Sequence, residues 1–355
     1  MVLSDNPANQ GGRCIEHNEN YNFFCTSQCD IVEQYFMDNN LSCSYFNEDN
    51  FCNNEQIKKQ FLCISLNIQS IAAKFHDFQH FLTQMFSNRV FPDVIAIQET
   101  WSILHTGDFK IDGYNLFTKT RTNGRGGGVG IYVNQKYNTK LHESATIFIE
   151  NLFESIAVEI ELPNKKKFLA INIYRPNTHK TLTPSQQIND FLDIMSNHID
   201  QTSMLNIPTY YFMDMNIDML KYGLNEYSTN FLDIFLSYSF IPLINRATRI
   251  HNGNGTLIDQ IFTNDNVSNV FSGVITEHIS DHFPVFCTIN FDKIKTTRQD
   301  QKVRCFNKEN KEKFRVTLQN QSWNDVLSSK CPNEAFNIFH DTYFSLFEII
   351  FLKKW

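Results

Sequence analysis

The sequence predicts an α/β fold in which two packed mixed β-sheets are flanked by helices, giving a four-layer α/β sandwich. Many short strand patterns are interleaved with only a few helical patterns, and this ratio favours two packed sheets over a parallel doubly wound sheet. The chain has 355 residues, of which 42% are hydrophobic and 33 are Phe. A chain of this length and composition can fill one large aromatic core.

The regular pattern begins at Phe61, where "FLCISLNI" predicts a buried strand. The segment "SIAAKFHDFQHFLTQMF", residues 70–86, has apolar residues at helical spacing and predicts a helix. Helices are also predicted over 185–198 and 228–236. The other predicted strands are, in chain order, "DVIAIQE", "YNLFTKT", "GGVGIYV", "SIAVEIEL", "FLAINIY", "TYYFMD", "LIDQIFT", "SGVITE" and "PVFCTINF".

Residues 1–58 differ from this main domain, which we assign to residues 59–292. They are rich in Asn, Asp, Glu, Gln and Cys and lack sustained periodicity, so we expect a disordered or weakly structured extension. Its deletion is expected to leave the melting temperature and the activity nearly unchanged. Cys25 and Cys29 have the separation of zinc ligands, but no second pair at matching spacing follows, which favours scattered free thiols.

Residues 293–355 are predicted to form a basic linker followed by helical material. The linker "KIKTTRQDQKVRCFNKENKEKFR" fits either a solvated connector or an arm that contacts phosphates. The last residues, "FSLFEIIFLKKW", are apolar and have little left to pack on. We therefore expect the chain to be a truncated part of something longer.

The net charge of −7 argues against a protein that binds nucleic acid through its overall field, although local basic patches remain compatible with such binding. No apolar run is long enough to span a bilayer, so no membrane partner is expected. The nine Cys residues are irregularly spaced, and no apolar N-terminal run precedes them. These features predict a nuclear or cytoplasmic protein that is not secreted.

Six strand ends share one pattern, an apolar run next to an acid, an amide or another polar side chain. Each of these residues alone is more simply explained as a turn residue or a solvated group. Six in succession predict that the strand ends meet at one edge and form a site. The residues are Asn67, Glu99, Tyr174 with Arg175, Asp214 with Asn216, Asp259, and Asp281 with His282.

The ordered motifs "SLNIQS", "IAIQET", "GGGVGIYV", "NIYRPN", "MDMNID", "LIDQIFTN" and "SDHFPV" resemble the endonuclease/exonuclease/phosphatase superfamily. Within it, the chain is most similar to the endonuclease domain of non-LTR (LINE-type) retrotransposon polyproteins. No acid directly follows Asn67, where abasic-site endonucleases of this fold carry one. The segments "KFRVTLQNQSWNDVL" and "NEAFNIFHDTYF" are similar to the linker that precedes reverse transcriptase in such elements.

The resemblance implies a DNase I-like fold and a monomer that acts on DNA, with element RNA reached through a polymerase that is missing here. It also implies Mg²⁺, with Mn²⁺ able to substitute, held by Glu99, Asn67 and Asp281. Hard divalent cations prefer such oxygen donors.

The resemblance also assigns roles in phosphodiester hydrolysis to the other strand-end residues. Asp214 orients or deprotonates the attacking water. Asn216 and Tyr174 hydrogen-bond a phosphate oxygen. His282, oriented by Asp259, stabilises the charge that develops on the phosphate.

Contacts with nucleic acid are expected from the residues Arg175, Thr248, Arg249 and Arg125. Lys119 and Arg121 lie near the same Gly run as Arg125 and fit either DNA contacts or a solvated face.

One position departs from the family pattern, because Met213 stands where the family has Gly. We expect this change to strain the turn that aims Asp214 and Asn216.

The function that this sequence predicts is a Mg²⁺-dependent DNA endonuclease that nicks one strand. Two alternatives remain open. The first is another hydrolase on the same fold, either an abasic-site nuclease or a phosphatase of lipid or inositol phosphates. The second is an element remnant that folds without catalytic activity.

Overall fold

The centre of the fold is a pair of mixed β-sheets that pack face to face. The structure is a computed structural model that describes residues 41–101, 106–122, 126–177, 179, 181–265, 270–289, 303–304, 308–351 and 353–354. The predicted α/β class, with two mixed sheets flanked by helices, is confirmed.

The first sheet consists of β1 (Ser42–Phe46), β2 (Phe61–Asn67), β3 (Val94–Gln98), β4 (Tyr114–Lys119), β5 (Val129–Asn134), β15 (Phe271–Ile275) and β16 (Val285–Ile289). Their order across the sheet is β1-β15-β16-β2-β3-β5-β4. Strand β2 runs parallel to β3, and β1 runs parallel to β15, whereas the other neighbours are antiparallel.

The second sheet consists of β6 (Asn138–Leu141), β7 (Phe148–Ile149), β8 (Phe153–Glu161), β9 (Lys167–Tyr174), β10 (Thr209–Asp214), β11 (Ile241–Pro242) and β14 (Asp259–Thr263). Their order is β11-β14-β10-β9-β8-β6, with β7 paired to β8. Only β9 and β10 run parallel. A separate hairpin joins β12 (Arg249–His251) to β13 (Asn254–Thr256), and β17 (Val303–Arg304) pairs with β18 (Lys353–Lys354).

The helices are α1 (Glu48–Cys52), α2 (Glu55–Lys59), α3 (Ile71–Ser87), α4 (Pro184–Ser203), α5 (Glu226–Ser237), α6 (Lys308–Asn320), α7 (Asn324–Ser328) and α8 (Pro332–Ile350). The helices predicted over 70–86, 185–198 and 228–236 correspond to α3, α4 and α5 and are confirmed. Helix α4 begins with a capping box between Thr183 and Gln186. None of the helices in the described residues is long and apolar enough to cross a bilayer.

Two apolar clusters hold these layers together. One contains the side chains between the two sheets and those of α4 and α5, and the other joins α1, α2 and α3 to the outer face of the first sheet. A buried polar bridge crosses between the sheets: Asn172 donates to the Ile97 and Gly130 carbonyls at 2.8 and 2.9 Å, and Gln98 donates to Asn172 at 2.5 Å. Because Gln98 is the last residue of β3, this bridge fixes the position of the first sheet relative to the second next to Glu99.

The prediction that residues 1–58 form a disordered or weakly structured extension is wrong for residues 41–58. Strand β1 pairs with β15 at the edge of the first sheet, and Phe51 and Ile57 are buried in its core. Asn47 and Asn54 cap the short helices α1 and α2, so the Asn content that suggested disorder serves as helix caps. Five-residue helices are too short to show a periodic pattern. Deletion through residue 58 is therefore expected to destabilise the domain.

Residues 1–40, with Cys14, Cys25 and Cys29, lie outside the described residues, so the zinc and free-thiol alternatives for them stay as stated. The expected helical material near the C-terminus is confirmed as α6, α7 and α8, where Phe314 packs against Tyr343 and Phe351. Most of the basic linker, residues 293–302 and 305–307, is also outside the described residues.

Candidate active site

Six strand ends meet at one edge of the sandwich, as predicted. The parallel strands β2 and β3 end at Asn67 and just before Glu99, and the parallel strands β9 and β10 end at Tyr174 and Asp214. Strand β14 is antiparallel to β10 and begins at Asp259, directly opposite Asp214. Strand β16 is antiparallel to β2 and follows Asp281 and His282.

Asn67 connects the two sheets at this edge. Its side-chain nitrogen donates to Glu99 Oε1 at 2.9 Å and to Asp214 Oδ2 at 2.7 Å, while its oxygen accepts from the Gln69 backbone N–H at 3.0 Å. The reverse orientation of the amide would place its oxygen against two carboxylates, so the contacts determine the assignment. Asn67 is fully buried and therefore holds both acids in fixed positions.

Glu99 is oriented by three donors, two from strands and one from its own loop. Besides Asn67, the indole Nε1 of Trp101 donates to Glu99 Oε2 at 3.3 Å, and the hydroxyl of Tyr174 hydrogen-bonds to the same carboxylate. The backbone of Glu99 has a φ of 52° and that of Trp101 a φ of 60°, a conformation that L-residues adopt at a cost. The surrounding contacts thus hold Glu99 in one strained orientation.

Asp214 lies deeper, with no solvent exposure. Burial and the nearby carboxylates of Asp259 and Glu99 raise its pKa to about 7, although His282 and the Asn67 hydrogen bond act in the opposite direction. A carboxylate with this pKa accepts a proton more readily than an ordinary Asp.

His282 and Asp259 form a buried pair beside Asp214. The Nδ1–H of His282 donates to both carboxylate oxygens of Asp259, at 3.0 and 2.9 Å. Thr248 donates to Asp259 Oδ2 at 2.6 Å and fixes the carboxylate from the other side. Burial alone lowers the pKa of His282, but Asp259, Asp214 and Asp281 outweigh it and raise the pKa to about 9.

This arrangement of acids, an amide and an acid-paired His agrees with a match to the model of the Endonuclease/Exonuclease/phosphatase family over residues 64–282, more than half of the chain. The chain belongs to this family. Nucleases and phosphatases that cleave phosphoester bonds make up the family, and its nucleases generally use divalent metal ions. No curated protein gave a significant match.

Among the solved structures that resemble the chain, the one with a TM-score of 0.50 supports the fold. The chain is similar to the 3′–5′ exonuclease NExo from Neisseria meningitidis, with 13% identity, a TM-score of 0.50 and coverage of 65% of this chain and 100% of that one. An AP endonuclease from Archaeoglobus fulgidus has 17% identity, a TM-score of 0.49 and coverage of 65% and 100%. The endonuclease domain of TRAS1, a telomere-specific non-LTR retrotransposon, has 14% identity, a TM-score of 0.48 and coverage of 66% and 100%.

The donor set at this edge fits a divalent cation of the kind the family uses. Glu99 offers carboxylate oxygens that are already oriented, and hard cations prefer oxygen ligands. Asn67, predicted as a metal ligand, presents its N–H groups to the acids and orients Glu99, and its role as a ligand stays a prediction. Asp214, Asp259 and His282 also bring potential ligand atoms within 4.8 Å of one another, but Asp259 is already engaged by His282 and Thr248.

Asp281, the third predicted metal ligand, forms an ion pair with the side chain of Arg249. Its Oδ2 accepts from Arg249 Nε at 2.8 Å, and both side chains are about one-third exposed. Asp281 Oδ1 lies 3.9 Å from His282 Nε2. The expected role of Asp281 beside a metal, and that of Arg249 in contacting DNA, therefore stay predictions.

Two of the residues predicted to contact nucleic acid, Arg175 and Thr248, are buried in this structure. Arg175 is buried and donates to the backbone carbonyls of Met215, Pro176 and Asn216, at 2.6, 3.1 and 3.1 Å. Thr248 is also buried. A charged or hydroxyl group at a strand end is as suited to fixing a loop as to meeting a phosphate, and burial decides between them. Arg125 lies outside the described residues.

The strain expected at Met213 does not occur. The residue in the left-handed region of this turn is Asn216, with a φ of 48°, which Asn tolerates well. Met213 is an ordinary buried strand residue that pairs with Gln260 and Ile173. Asn216 is partly exposed, and its side-chain amide donates to the Arg175 carbonyl at 2.8 Å.

Two features of this edge were missed from the sequence. Trp101 was not among the predicted site residues, but its indole donates to Glu99. Arg121, a candidate for DNA contact, is instead nearly buried and paired to the buried Glu154 at 2.6 Å. Glu154 also accepts from the Gly128 N–H at 2.6 Å, and a Cβ on Gly128 would lie 2.5 Å from Thr100 Oγ1. The Gly run thus permits a close backbone approach, which sequence spacing alone does not reveal.

Proposed function

We propose that this chain is a Mg²⁺-dependent phosphodiesterase that nicks one strand of DNA, the endonuclease of a non-LTR retrotransposon. One observation carries the proposal: a single buried amide, Asn67, ties the oriented Glu99 to the buried Asp214, with the His282–Asp259 pair alongside. An acid for a cation, an acid for a proton and a cationic donor are the three groups that phosphodiester hydrolysis needs.

Glu99 would hold the divalent cation, with Asn67, Trp101 and Tyr174 keeping its carboxylate in place. When bound, the cation supplies neutralising charge to the phosphate oxygens. Mn²⁺ is expected to substitute for Mg²⁺, because it also accepts oxygen ligands.

Asp214 orients the attacking water and accepts its proton. The side chain is positioned by Asn67 Nδ2 and by the Asn216 backbone N–H, at 2.7 and 3.1 Å. His282 donates from Nε2 to a phosphate oxygen as charge accumulates there, because its Nδ1–H is already committed to Asp259. Asn216 and Tyr174 lie at the same edge and are proposed to contact the phosphate.

The choice of DNA and of a retrotransposon rests on sequence motifs. The residue that directly follows Asn67 is Ile68, which is buried in the apolar cluster under α3, so no acid of the abasic-site type stands there.

The five cysteines in the described residues are unbridged, which supports a reducing compartment, nuclear or cytoplasmic. Element RNA, reached through a polymerase, and a monomeric state belong to the same proposal.

A nicking assay tests the proposal. Supercoiled plasmid is incubated with the full chain in Mg²⁺, in Mn²⁺ and in chelator, and the open-circular product is measured. We expect product with either metal and none with chelator. Intact and abasic duplex oligonucleotides and inositol phosphates are compared in parallel; preference for the abasic duplex or for the inositol phosphates would favour the corresponding alternative hydrolase.

Glu99→Gln provides the internal test, because it keeps the shape of the side chain and removes the charge that attracts the cation. We expect nicking to be lost while the circular dichroism spectrum is unchanged. The matched control is Glu159→Gln, at a partly exposed residue of β8 paired to Lys167, and it should nick as the wild type does. Absence of nicking by the wild type on every substrate would favour an inactive remnant, whereas equal nicking by Glu99→Gln would overturn the metal assignment.

A further inference from the structure

The connection between β11 and β12, residues 243–248, determines the position of the His282–Asp259 pair. It has no regular secondary structure, so its shape depends on its neighbours. Thr248, at its end, donates to Asp259 at 2.6 Å, and the Thr248 carbonyl accepts from the Phe283 N–H at 2.7 Å. A shift of this connection would therefore move both halves of the pair.

Strand β1 holds the other side of this connection. The hydroxyl of Tyr45 donates to the Ala247 carbonyl at 3.0 Å, across 202 positions of the chain. The backbone of Asn245 and Arg246 hydrogen-bonds to the sulfur of Cys43, which lies two residues before Tyr45 in β1. Two side chains on the same strand thus meet three consecutive residues of the connection.

The connection is tightly packed on a further side. A Cβ placed on Gly255 of β13 would lie 2.8 Å from the Cβ of Ala247, closer than two such atoms approach. Ser272 of β15 donates to the Leu243 carbonyl at 2.5 Å and also contacts the Ser42 carbonyl. Tyr45 is therefore the side chain of β1 that fixes Ala247, the residue next to Thr248.

We propose that Tyr45 is a positioning residue for hydrolysis, acting through Ala247 and Thr248 on the His282–Asp259 pair. The inference rests on the proposed function, because the pair is the donor to the phosphate there. Strand β1 lies before residues 64–282, the region that matches the family, so this support comes from a segment outside the family pattern.

The Tyr45 hydroxyl is suited to this role over the whole range of assay conditions. Burial raises its pKa to about 12, so it stays protonated and donates its hydrogen bond at neutral and moderately alkaline pH. The ring is only partly buried, and Tyr45→Phe keeps the ring while removing the hydrogen bond to Ala247.

The test compares steady-state and single-turnover nicking by the full chain with nicking by Tyr45→Phe. We expect kcat to fall by about threefold to tenfold, with KM and DNA binding unchanged, since one buried hydrogen bond that orients a reacting group is lost. The matched control is Tyr114→Phe, which removes a Tyr hydroxyl that donates to the Pro92 carbonyl at 2.6 Å, at the opposite end of β3 from Glu99. It should lower the melting temperature without changing kcat.

A double-mutant cycle separates positioning from general stability. Thr248→Val breaks the link to Asp259, so Tyr45→Phe should have no further effect on kcat in that background. Additive effects of the two changes, or a Tyr45→Phe variant that nicks like the wild type, would show that Tyr45 does not act through Thr248.

Amide hydrogen exchange tests the same link without relying on activity. The Thr248 and Phe283 amides donate to the Thr256 and Thr248 carbonyls, and both should exchange faster in Tyr45→Phe but not in Tyr114→Phe. Unchanged exchange would overturn the inference even if the wild type proves inactive. A wild type that does not nick, with faster exchange in Tyr45→Phe, would instead reject the proposed function and leave the positioning contact in place.

Discussion

The two ends of the sandwich each bury a carboxylate, but within the described part of the chain only one end also brings together further acids, an amide and a histidine. At the end opposite the strand tips, Asp93 accepts from the Leu62 N–H and the Tyr137 hydroxyl, both at 2.8 Å, and pairs with Lys136. At the candidate active site, Asp214 has two hydrogen bonds from amides and two further carboxylates nearby. Burial alone therefore does not make an acid reactive. Lys136 neutralises the charge of Asp93, whereas burial together with the nearby carboxylates of Asp259 and Glu99 raises the pKa of Asp214.

Two buried histidines repeat this contrast. His198 donates from Nε2 to the Ala145 carbonyl at 2.8 Å, and burial lowers its pKa to about 4. His282 is almost as buried, but Asp259 and its neighbours raise the pKa to about 9. The partner thus decides whether a buried histidine is a neutral core residue or a cationic donor.

The largest expected effect is that of Asp214→Asn on activity. The change keeps the shape and the hydrogen bond from Asn67 but removes the group that accepts the proton, so nicking should fall on the order of a thousandfold or more. Single-turnover nicking measures it. Retention of more than a tenth of the wild-type rate would mean that another group accepts the proton.

Asp93→Asn is the matched variant at the opposite end of the sandwich. We expect Asp93→Asn to lower the stability of the fold and Asp214→Asn not to lower it. Removing the charge that pairs with Lys136 should lower the free energy of unfolding by about 2 to 4 kcal/mol, with kcat unchanged. The folded-state pKa of Asp214 is above the ordinary value of 3.8, so its ionised form costs stability once the pH rises from about 4 through about 7. At about pH 8, Asp214→Asn should therefore melt at or above the wild-type temperature; a large fall would contradict the crowding argument.

His282→Ala should lose on the order of a hundredfold to a thousandfold in nicking rate, because a preorganised donor to the developing charge is removed. DNA affinity should change far less, since it comes mainly from Lys and Arg contacts to the backbone. Asp259→Asn should show a weaker form of the same defect. Filter binding and single-turnover nicking on the same DNA are compared, and equal losses of binding and rate would exclude a role limited to the transition state.

The lowered pKa of His198 predicts that the fold loses stability as the pH falls. Its pKa is lowered from 6.5 to about 4 on folding, so the unfolded chain takes up the proton first. Its contribution is fully present above about pH 6.5 and is lost as the pH falls from there to about 4, by about 3 kcal/mol in total. Urea unfolding of the wild type and of His198→Gln over this range should show a shallower pH dependence for the variant. Parallel curves would mean that His198 titrates alike in both states.

The smallest effect is expected from Trp101→Phe, which removes one of three donors to Glu99. Mn²⁺ affinity, measured by calorimetry, should fall by about tenfold, as is typical when a group that orients a metal ligand is lost. The control is Trp323→Phe, where the indole packs against Phe339 among the C-terminal helices. Equal affinities for wild type and Trp101→Phe would show that Asn67 and Tyr174 suffice to orient Glu99.

Short-range patterns in the sequence were sufficient for the helices α3, α4 and α5, for the two mixed sheets and for the polar strand ends. These features depend on the spacing of apolar residues and on the order of the motifs, and both can be read directly from the sequence. The same patterns could not show that Asn47 and Asn54 are helix caps, because a capped five-residue helix has no period to detect.

Only the tertiary structure decided which polar residues face each other. Asn67 and Asp214 are 147 positions apart, and their contact depends on how two sheets pack. The same holds for the burial of Arg175 and Thr248, and for the different partners of His198 and His282. The chemical type of a side chain is set by the sequence, but its charge state and its role follow from the desolvation and the partners that folding brings to it.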